Sequence, residues 1–412
     1  MSTRPNRIPR LQSIVDRKRA FVIGAIAAVL FAVGCAQQPQ RTATLDASMP
    51  VASPWALPTS TMSWNEYACD LIARNQVGQF PASRTLVYVN LAINNALVTA
   101  RQQGRKPDGA AAGAAAASLI YFFPKDEQAI AGRLAGETAA LGNDGKRSDF
   151  VAGVELGRAA AAGVIASAKA DRSELAWSGP LPTDPTKWSS RAQPARPPLG
   201  PRLGEMRPFF LITGADFRAP APPGYDSPAF RAAVLEVRTV SDHRTNEQVR
   251  IAQYWEDLSG SFGAGHWNAV ARGAISSHGL NEADSARILA LVHMTDVDAT
   301  IACHDSKYTY WVPRPTQVDP EIRLAIGVPN HPSYPSNHAC KSGAIGLVLD
   351  AQFPDQGGLY SAMARQAGES RLYGGIHYRF DLDEGFVIAR KVSARAMEVG
   401  VPADRAFVAV GH

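Results

Sequence analysis

Eleven of the 45 residues from Gly179 to Pro223 are proline. Proline fixes φ and lacks a backbone N–H, so this stretch can be neither a helix interior nor a central strand. An irregular segment this long is usually functional or a linker. Trp188, Phe209 and Phe210 lie within it, and large aromatic rings predict a loop wrapped over a folded body rather than a hinge between independent domains. On both sides the apolar spacing is helical. Before the loop it marks 84–100, the Ala-rich 109–123 and 128–141 separated by Pro124, and 150–170. After it come 230–239, 246–256, 282–305, 336–352, 358–368 and 383–400. Asn281 suits the N-cap of the 282–305 helix. Alternating strand patterns are nearly absent. With 46% hydrophobic residues the chain can bury a sizeable core, and the expected fold is mainly α, a single large helical-bundle domain over 61–412 carrying the long Pro-rich loop 179–223.

The N-terminus reads differently. Residues 1–34 hold six basic residues against one acid, Asp16, and an uncharged run from Ala20 to Val33. Fourteen apolar residues fall short of the ~20 needed to span a bilayer, and a basic stretch followed by a short apolar one has the form of an export signal. The segment Phe31-Ala-Val-Gly-Cys35 resembles a bacterial lipoprotein cleavage site, with Cys35 as the lipidated end, although Ala32 stands where leucine is more usual. The expectation is an exported protein, periplasmic or an outer-membrane lipoprotein, touching the membrane only through an anchor at Cys35. Residues 35–60, polar and broken by prolines, read as a tether.

The net charge of +5 comes from 42 Lys+Arg and 37 Asp+Glu. Taking away residues 1–34 leaves a formally neutral remainder, so nucleic acid loses its support as a partner. Cys35, Cys69, Cys303 and Cys340 form no CxxC pair, which excludes a structural zinc motif of that kind. One disulfide among Cys69, Cys303 and Cys340 is possible, and the sequence does not assign it.

No HExxH, GxSxG, P-loop, GxGxxG or EF-hand loop is present. Three clusters in the final third carry the chemistry instead. In the first, Lys307 stands where the 282–305 helix would end. Pro313 and Pro315 fix the backbone around Arg314, with Tyr308, Tyr310 and Trp311 as an expected aromatic wall. In the second, Ser336 is a good N-cap for the helix that follows, so the N–H groups of Asn337 and His338 would face an anion. In the third, Arg371 is followed by Gly374-Gly375, which would admit close backbone approach. His377 and Asp381 then follow, spaced so that one helical turn would pair carboxylate with imidazole. Each cluster alone fits an ordinary structural role. Together, three cationic side chains, a helix start and two histidines suit one tetrahedral oxyanion.

Lys307-x6-Arg314-Pro315, then Pro335-Ser336-Asn337-His338, then Ser370-Arg371-x5-His377-x3-Asp381 resembles the three-part signature of the vanadium haloperoxidase and type 2 phosphatidic acid phosphatase superfamily. Gly265-His266-Trp267-Asn268 and Asp296-x-Asp298 are similar to its soluble haloperoxidase-type branch. The resemblance covers roughly 64–395, with the motifs inside 296–381. It implies that Lys307, Arg314, Ser336, Asn337 and Arg371 hold the oxyanion and that His338 is the acid/base. It also implies that His377 bonds the central atom and Asp381 orients His377. Vanadate would be the cofactor of a haloperoxidase using halide and peroxide, with Lys307 polarising the peroxide. A phosphatase on the same residues would need no cofactor and would pass through a phosphohistidine on its phosphate ester. A binding protein without turnover is the third reading. Asn337 stands where the family usually has glycine.

Overall fold

The computed structural model describes residues 59–410 apart from 144, 191–195, 257–259 and 261. The export signal, Cys35 and the tether up to residue 58 lie outside the described residues.

The described residues are helical, and no strand occurs among them. In the N-terminal half α1 (Ser60–Arg74), α2 (Gln79–Gln102), α3 (Pro107–Phe122), α4 (Glu127–Ala140) and α5 (Gly145–Lys169) follow one another. Beyond the Pro-rich loop come α6 (Pro228–His243), α7 (Asn246–Tyr254), α8 (Phe262–Ser277), α9 (Glu282–Tyr310) and the single turn α10 (Pro315–Val318). The chain finishes with α11 (Asn337–Gln352), α12 (Leu359–Tyr373) and α13 (Arg379–Val399). The mainly α reading therefore holds. Its tether ran slightly too far, because Thr59 caps α1 through its side chain and Ser60 is already helical.

Helix α9 is the axis of the body. It is buried on nearly every side, by α2, α8, α11 and α13, as a helix apolar around most of its circumference must be. Asn281 caps its start by accepting from the Asp284 N–H at 3.0 Å. At its far end it outruns the expected boundary by five residues. Trp311 closes it in the left-handed region (φ 54°), its N–H returning to the Lys307 carbonyl. Lys307 thus sits inside the last turn, pointing from a rigid, buried helix.

The Ala-rich pair α3 and α5 packs closely because glycines face each other. A Cβ on Gly113 would come within 2.2 Å of the Val154 carbonyl oxygen, and one on Gly157 within 2.2 Å of that of Ala110. Among the described helices α5 alone is long and apolar enough by composition to cross a membrane, and one of its faces lies along α3.

The Pro-rich segment is pinned to α9. The carboxylate of Asp298, fully buried, accepts from the backbone N–H groups of Phe209, Phe210 and Leu211 at 2.8, 2.7 and 3.2 Å. Trp188 donates its N–H to the Trp311 carbonyl. The Tyr334 hydroxyl donates to the Pro220 carbonyl at 2.7 Å, tying the wrap to the loop before α11.

Candidate oxyanion site

Three local structures converge at one end of α9. Arg314 precedes a proline and is held extended (φ −72°, ψ 153°), Pro315 occupies the first position of α10, and the Arg314 N–H donates to Gln317 Oε1. Those are the geometries that X-Pro and an N-terminal proline favour. The loop from His331 to Ser336, with a cis Tyr334–Pro335 bond, delivers Ser336 as the N-cap of α11. The Ser336 N–H donates to the Asp381 carbonyl at 2.8 Å. His377 and Asp381 are not on one helical turn. Tyr378 is the N-cap of α13 and Asp381 lies in its first turn, so the carboxylate reaches back over the helix start.

That carboxylate organises the centre. Asp381 Oδ2 accepts from His377 Nδ1–H at 2.8 Å, from the Ser333 hydroxyl at 2.5 Å and from the Tyr378 N–H at 3.1 Å. The opposite ring nitrogen, His377 Nε2, accepts from Arg314 Nη1 at 2.9 Å. These two bonds fix the tautomer, with the proton on Nδ1 and the lone pair on Nε2. Burial, then the charges of Arg314, Lys307 and Arg371, hold the His377 pKa well below the ordinary imidazole range, so the ring is neutral at physiological pH. Burial raises Asp381 to about 6, against the pull of Ser333 and Lys307.

The cations are placed differently from one another. Arg314 also donates from Nε to the His331 carbonyl at 3.0 Å, from Nη1 to the Ile376 carbonyl at 2.8 Å and from Nη2 to His331 Nδ1 at 3.1 Å. Lys307 Nζ donates to the carbonyls of Pro332 (3.0 Å), Ser333 (2.8 Å) and Pro335. It therefore fastens the loop that carries Ser336 and faces no aromatic wall. Tyr308 donates its hydroxyl to Leu199, Tyr310 to Ala219, and Trp311 packs against Trp177 and Trp188. Burial lowers the Lys307 pKa to about 8. Among the described residues neither Lys307 nor Arg314 forms an ion pair with a carboxylate, although both are essentially fully buried.

The third arm meets at a carbonyl that no side-chain motif could reveal. The Trp255 oxygen accepts from Arg371 Nη1 and from His338 Nε2–H, both at 2.8 Å. Trp255 lies just past α7 and stacks face to face on His266, ring centroids 4.6 Å apart. Trp267 donates Nε1–H to Ser342 on α11, and Asn268 donates to Asn65 and touches His293. The Gly265–Asn268 segment thus supports the site from behind. Lys341 pairs with Asp296 at 3.2 Å, both buried. Gly374 and Gly375 pack against Ile326 and the Arg323 carbonyl, serving the turn rather than a close approach to ligand.

His338 keeps partial exposure. With Nε2–H given to Trp255, its Nδ1 carries the lone pair, and desolvation followed by Arg371 holds its pKa well below the ordinary value. Asn337 is buried, and neither polar atom of its side-chain amide has a hydrogen-bond partner. Two histidines had drawn no role from the sequence. His331 accepts from Arg314. The His304 ring lies 5.6 Å from it by centroid and 4.6 Å from Phe80, its Nδ1–H donates to the Gly200 carbonyl, and its buried Nε2 is unpartnered. His304 stands three residues before Lys307, a helical spacing that would have placed it on the same face. Cys69, Cys303 and Cys340 are not disulfide-linked.

The donor set fits a small oxyanion. It offers a neutral imidazole lone pair, a guanidinium beside it, a helix N-terminus at Asn337 and His338, and an amide without a partner. It has no cluster of three or more His, Cys, Asp or Glu residues that could hold a metal ion, among the described residues.

No family model matches the chain. A curated relative, the vanadium-dependent bromoperoxidase of Ascophyllum nodosum, is 28% identical over a 122-residue alignment covering 23% of this chain. The match spans about a fifth of that enzyme's length, 20%. Among solved structures, a bacterial vanadium-dependent iodoperoxidase superposes with a TM-score of 0.71 at 20% identity, covering 83% of this chain and 96% of that one. A bacterial vanadium-dependent chloroperoxidase superposes with a TM-score of 0.60 at 15% identity, in its apo form over 78% of this chain and 94% of its own. The holo form gives the same score and identity over 85% and 96%. The chain therefore has the all-helical fold of the vanadium-dependent haloperoxidases.

Proposed function

We propose that this protein is an exported vanadate-dependent haloperoxidase-type enzyme that oxidises a halide with hydrogen peroxide. The observation that carries the reading is the His377 Nε2 lone pair, fixed by Asp381 behind it and met by Arg314 in front, amid buried cations. An uncompensated buried charge is costly, and a bound anion would relieve it. Vanadate would be held by His377 Nε2, Arg314, Arg371, Ser336, the first N–H groups of α11 and the Asn337 amide. When bound it supplies a Lewis acid that activates peroxide without changing oxidation state.

The residues themselves do the rest. Asp381 keeps the His377 proton on Nδ1, leaving Nε2 as the ligand atom. Arg314 releases its bond to Nε2 and offers that N–H to an oxyanion oxygen. Lys307 fixes the carbonyls of residues 332, 333 and 335, and so the position of Ser336, while its positive charge raises the electrostatic potential at the site and favours an anion there. His338, partly open to solvent and with its Nδ1 lone pair available, takes and returns a proton. The lipoprotein-like leader would place the enzyme outside the cytoplasm.

Purified protein given vanadate, peroxide and bromide or iodide is expected to halogenate an acceptor. His377→Ala is expected to abolish this. Hydrolysis of a phosphate ester inhibited by vanadate, with no halogenation under any halide, would overturn the reading in favour of a phosphatase. Tight oxyanion binding with neither activity would make it a binding protein.

A further inference from the structure

The last carbonyls of a helix have no partner within it and carry the negative end of its dipole. Trp255 is the C-cap of α7 (φ −91°, ψ 6°), and its own N–H returns to the Ile251 carbonyl at 3.2 Å. Its carbonyl serves Arg371 Nη1 on α12 and His338 Nε2–H on α11, both at 2.8 Å. The Trp255 ring is fully buried and is held from three sides. It lies parallel to the His266 ring, with an interplanar angle of 1°. It stacks on the Trp267 ring at a centroid distance of 5.9 Å. Its Nε1–H donates to Gln366 Oε1 at 3.0 Å. Gln366 and Arg371 both belong to α12, so one helix grips Trp255 by its ring and by its carbonyl.

We propose that Trp255 is a positioning residue whose ring sets the place of the carbonyl shared by His338 and Arg371. This role rests on the function proposed above, which makes His338 the acid/base and Arg371 an oxyanion donor. The carbonyl has two tasks. For His338 it holds the proton on Nε2 and leaves the lone pair on Nδ1, the nitrogen that exchanges a proton with the site. For Arg371 it takes one N–H and so fixes the plane of the guanidinium, whose fork suits tetrahedral oxygens. A backbone oxygen moves with its peptide plane, so a displacement there reaches both residues together. Beyond the carbonyl, Glu256 Oε1 accepts from the Gly327 N–H at 2.7 Å, which restrains the peptide from the other side. The ring anchors differ in kind from that restraint. An indole has a single donor, and Gln366 is its acceptor, so this one bond fixes the rotation of the ring within the stack. Loss of either partner of the Trp255–Gln366 bond loosens the same carbonyl.

Trp255→Phe keeps a ring for the stack and removes the N–H. Gln366→Leu removes the acceptor from a half-buried position. Both single variants and the double variant, in the full chain, are compared with the wild type by vanadate calorimetry, nitrogen NMR of labelled histidine and denaturant unfolding. His338→Gln assigns the His338 signals. Each single variant is expected to raise the vanadate dissociation constant about fivefold, the factor set by one hydrogen bond of ordinary net strength. The double variant should raise it no further, because both changes remove one bond. His338 should show a single tautomer in the wild type, protonated at Nε2, and both tautomers in each variant. A lower unfolding midpoint with unchanged tautomer and unchanged affinity per folded molecule would make the ring purely structural and overturn the proposal. Additive losses in the double variant would overturn it too, by placing the two side chains on separate routes. Should Trp255→Phe not fold, Gln366→Leu decides alone by affinity and tautomer. Failure of the wild type to bind vanadate would fall on the functional reading, while the His338 tautomer in the variants still decides whether Trp255 holds that ring.

Discussion

Arg314 Nη1 stands 2.9 Å from His377 Nε2, on the ring nitrogen that an oxyanion centre would otherwise claim. On the reading proposed above, the guanidinium would hold the place of an anion, because the N–H that it gives to Nε2 would turn to an oxyanion oxygen. Arg314→Lys keeps the charge but removes the planar fork that also holds His331 and Ile376. It is expected to weaken vanadate binding about 30- to 100-fold, or roughly 2–3 kcal/mol, the scale of a lost charge-assisted bond in a buried site. Equilibrium titration of the variant checks this.

Asp381 controls the tautomer of His377. Asp381→Asn should keep the fold but offer an N–H where His377 Nδ1–H needs an acceptor, moving the imidazole proton to Nε2. Vanadate affinity is then expected to fall about 10- to 100-fold, as for other supporting partners of a ligating histidine. Nitrogen NMR of labelled histidine should show the exchanged tautomer.

The Lys307 pKa of about 8 gives a pH limit with a definite sign. A lysine lowered by burial is charged below that pH and neutral above it, so the field that favours an anion should fade as pH rises through about 8. Arginine does not deprotonate in that range. The ratio of vanadate affinity in Lys307→Arg to that in the wild type should therefore increase above about pH 8, which cancels the titration of vanadate itself.

Much of this architecture was legible in the sequence, and the misses have physical causes. The expected bounds of α7 and α11 lie within two residues of the observed ones. The end of α9 does not, because Ser306 to Tyr310 carries no stop signal and the helix ends only where Trp311 turns left-handed ahead of Pro313. Lys307, Arg314, Ser336, Arg371, His377 and Asp381 announced themselves by residue type and spacing. The Trp255 carbonyl could not, since a backbone oxygen has no sequence signature. The three-carbonyl seat of Lys307 was hidden for the same reason. His304 was discernible by its spacing to Lys307, but its approach to His331 depends on the fold of a distant loop.

Asn337 gives a prediction with two readouts. Its amide is buried without partners, a state costing about 1–3 kcal/mol. Asn337→Ala is therefore expected to raise the stability of the oxyanion-free protein in denaturant unfolding while weakening vanadate binding severalfold. Loss of stability together with unchanged affinity would show that the amide has no part in the site.

The glycine contact between α3 and α5 tests the scaffold apart from the chemistry. Gly113→Val would drive a side chain into the Val154 backbone, and overpacking of this kind costs about 1–3 kcal/mol or more. Chemical denaturation should show a lower midpoint, with vanadate affinity per folded molecule preserved.

The central claim is that one oxyanion binds at His377, held by the cations around it. Calorimetric titration of the reduced protein with vanadate near pH 7 tests it directly, alongside His377→Ala and with inorganic phosphate as competitor. The account predicts a single site of one vanadate per chain, displaced by phosphate and lost in the variant. Equal vanadate affinity in the wild type and His377→Ala would contradict it.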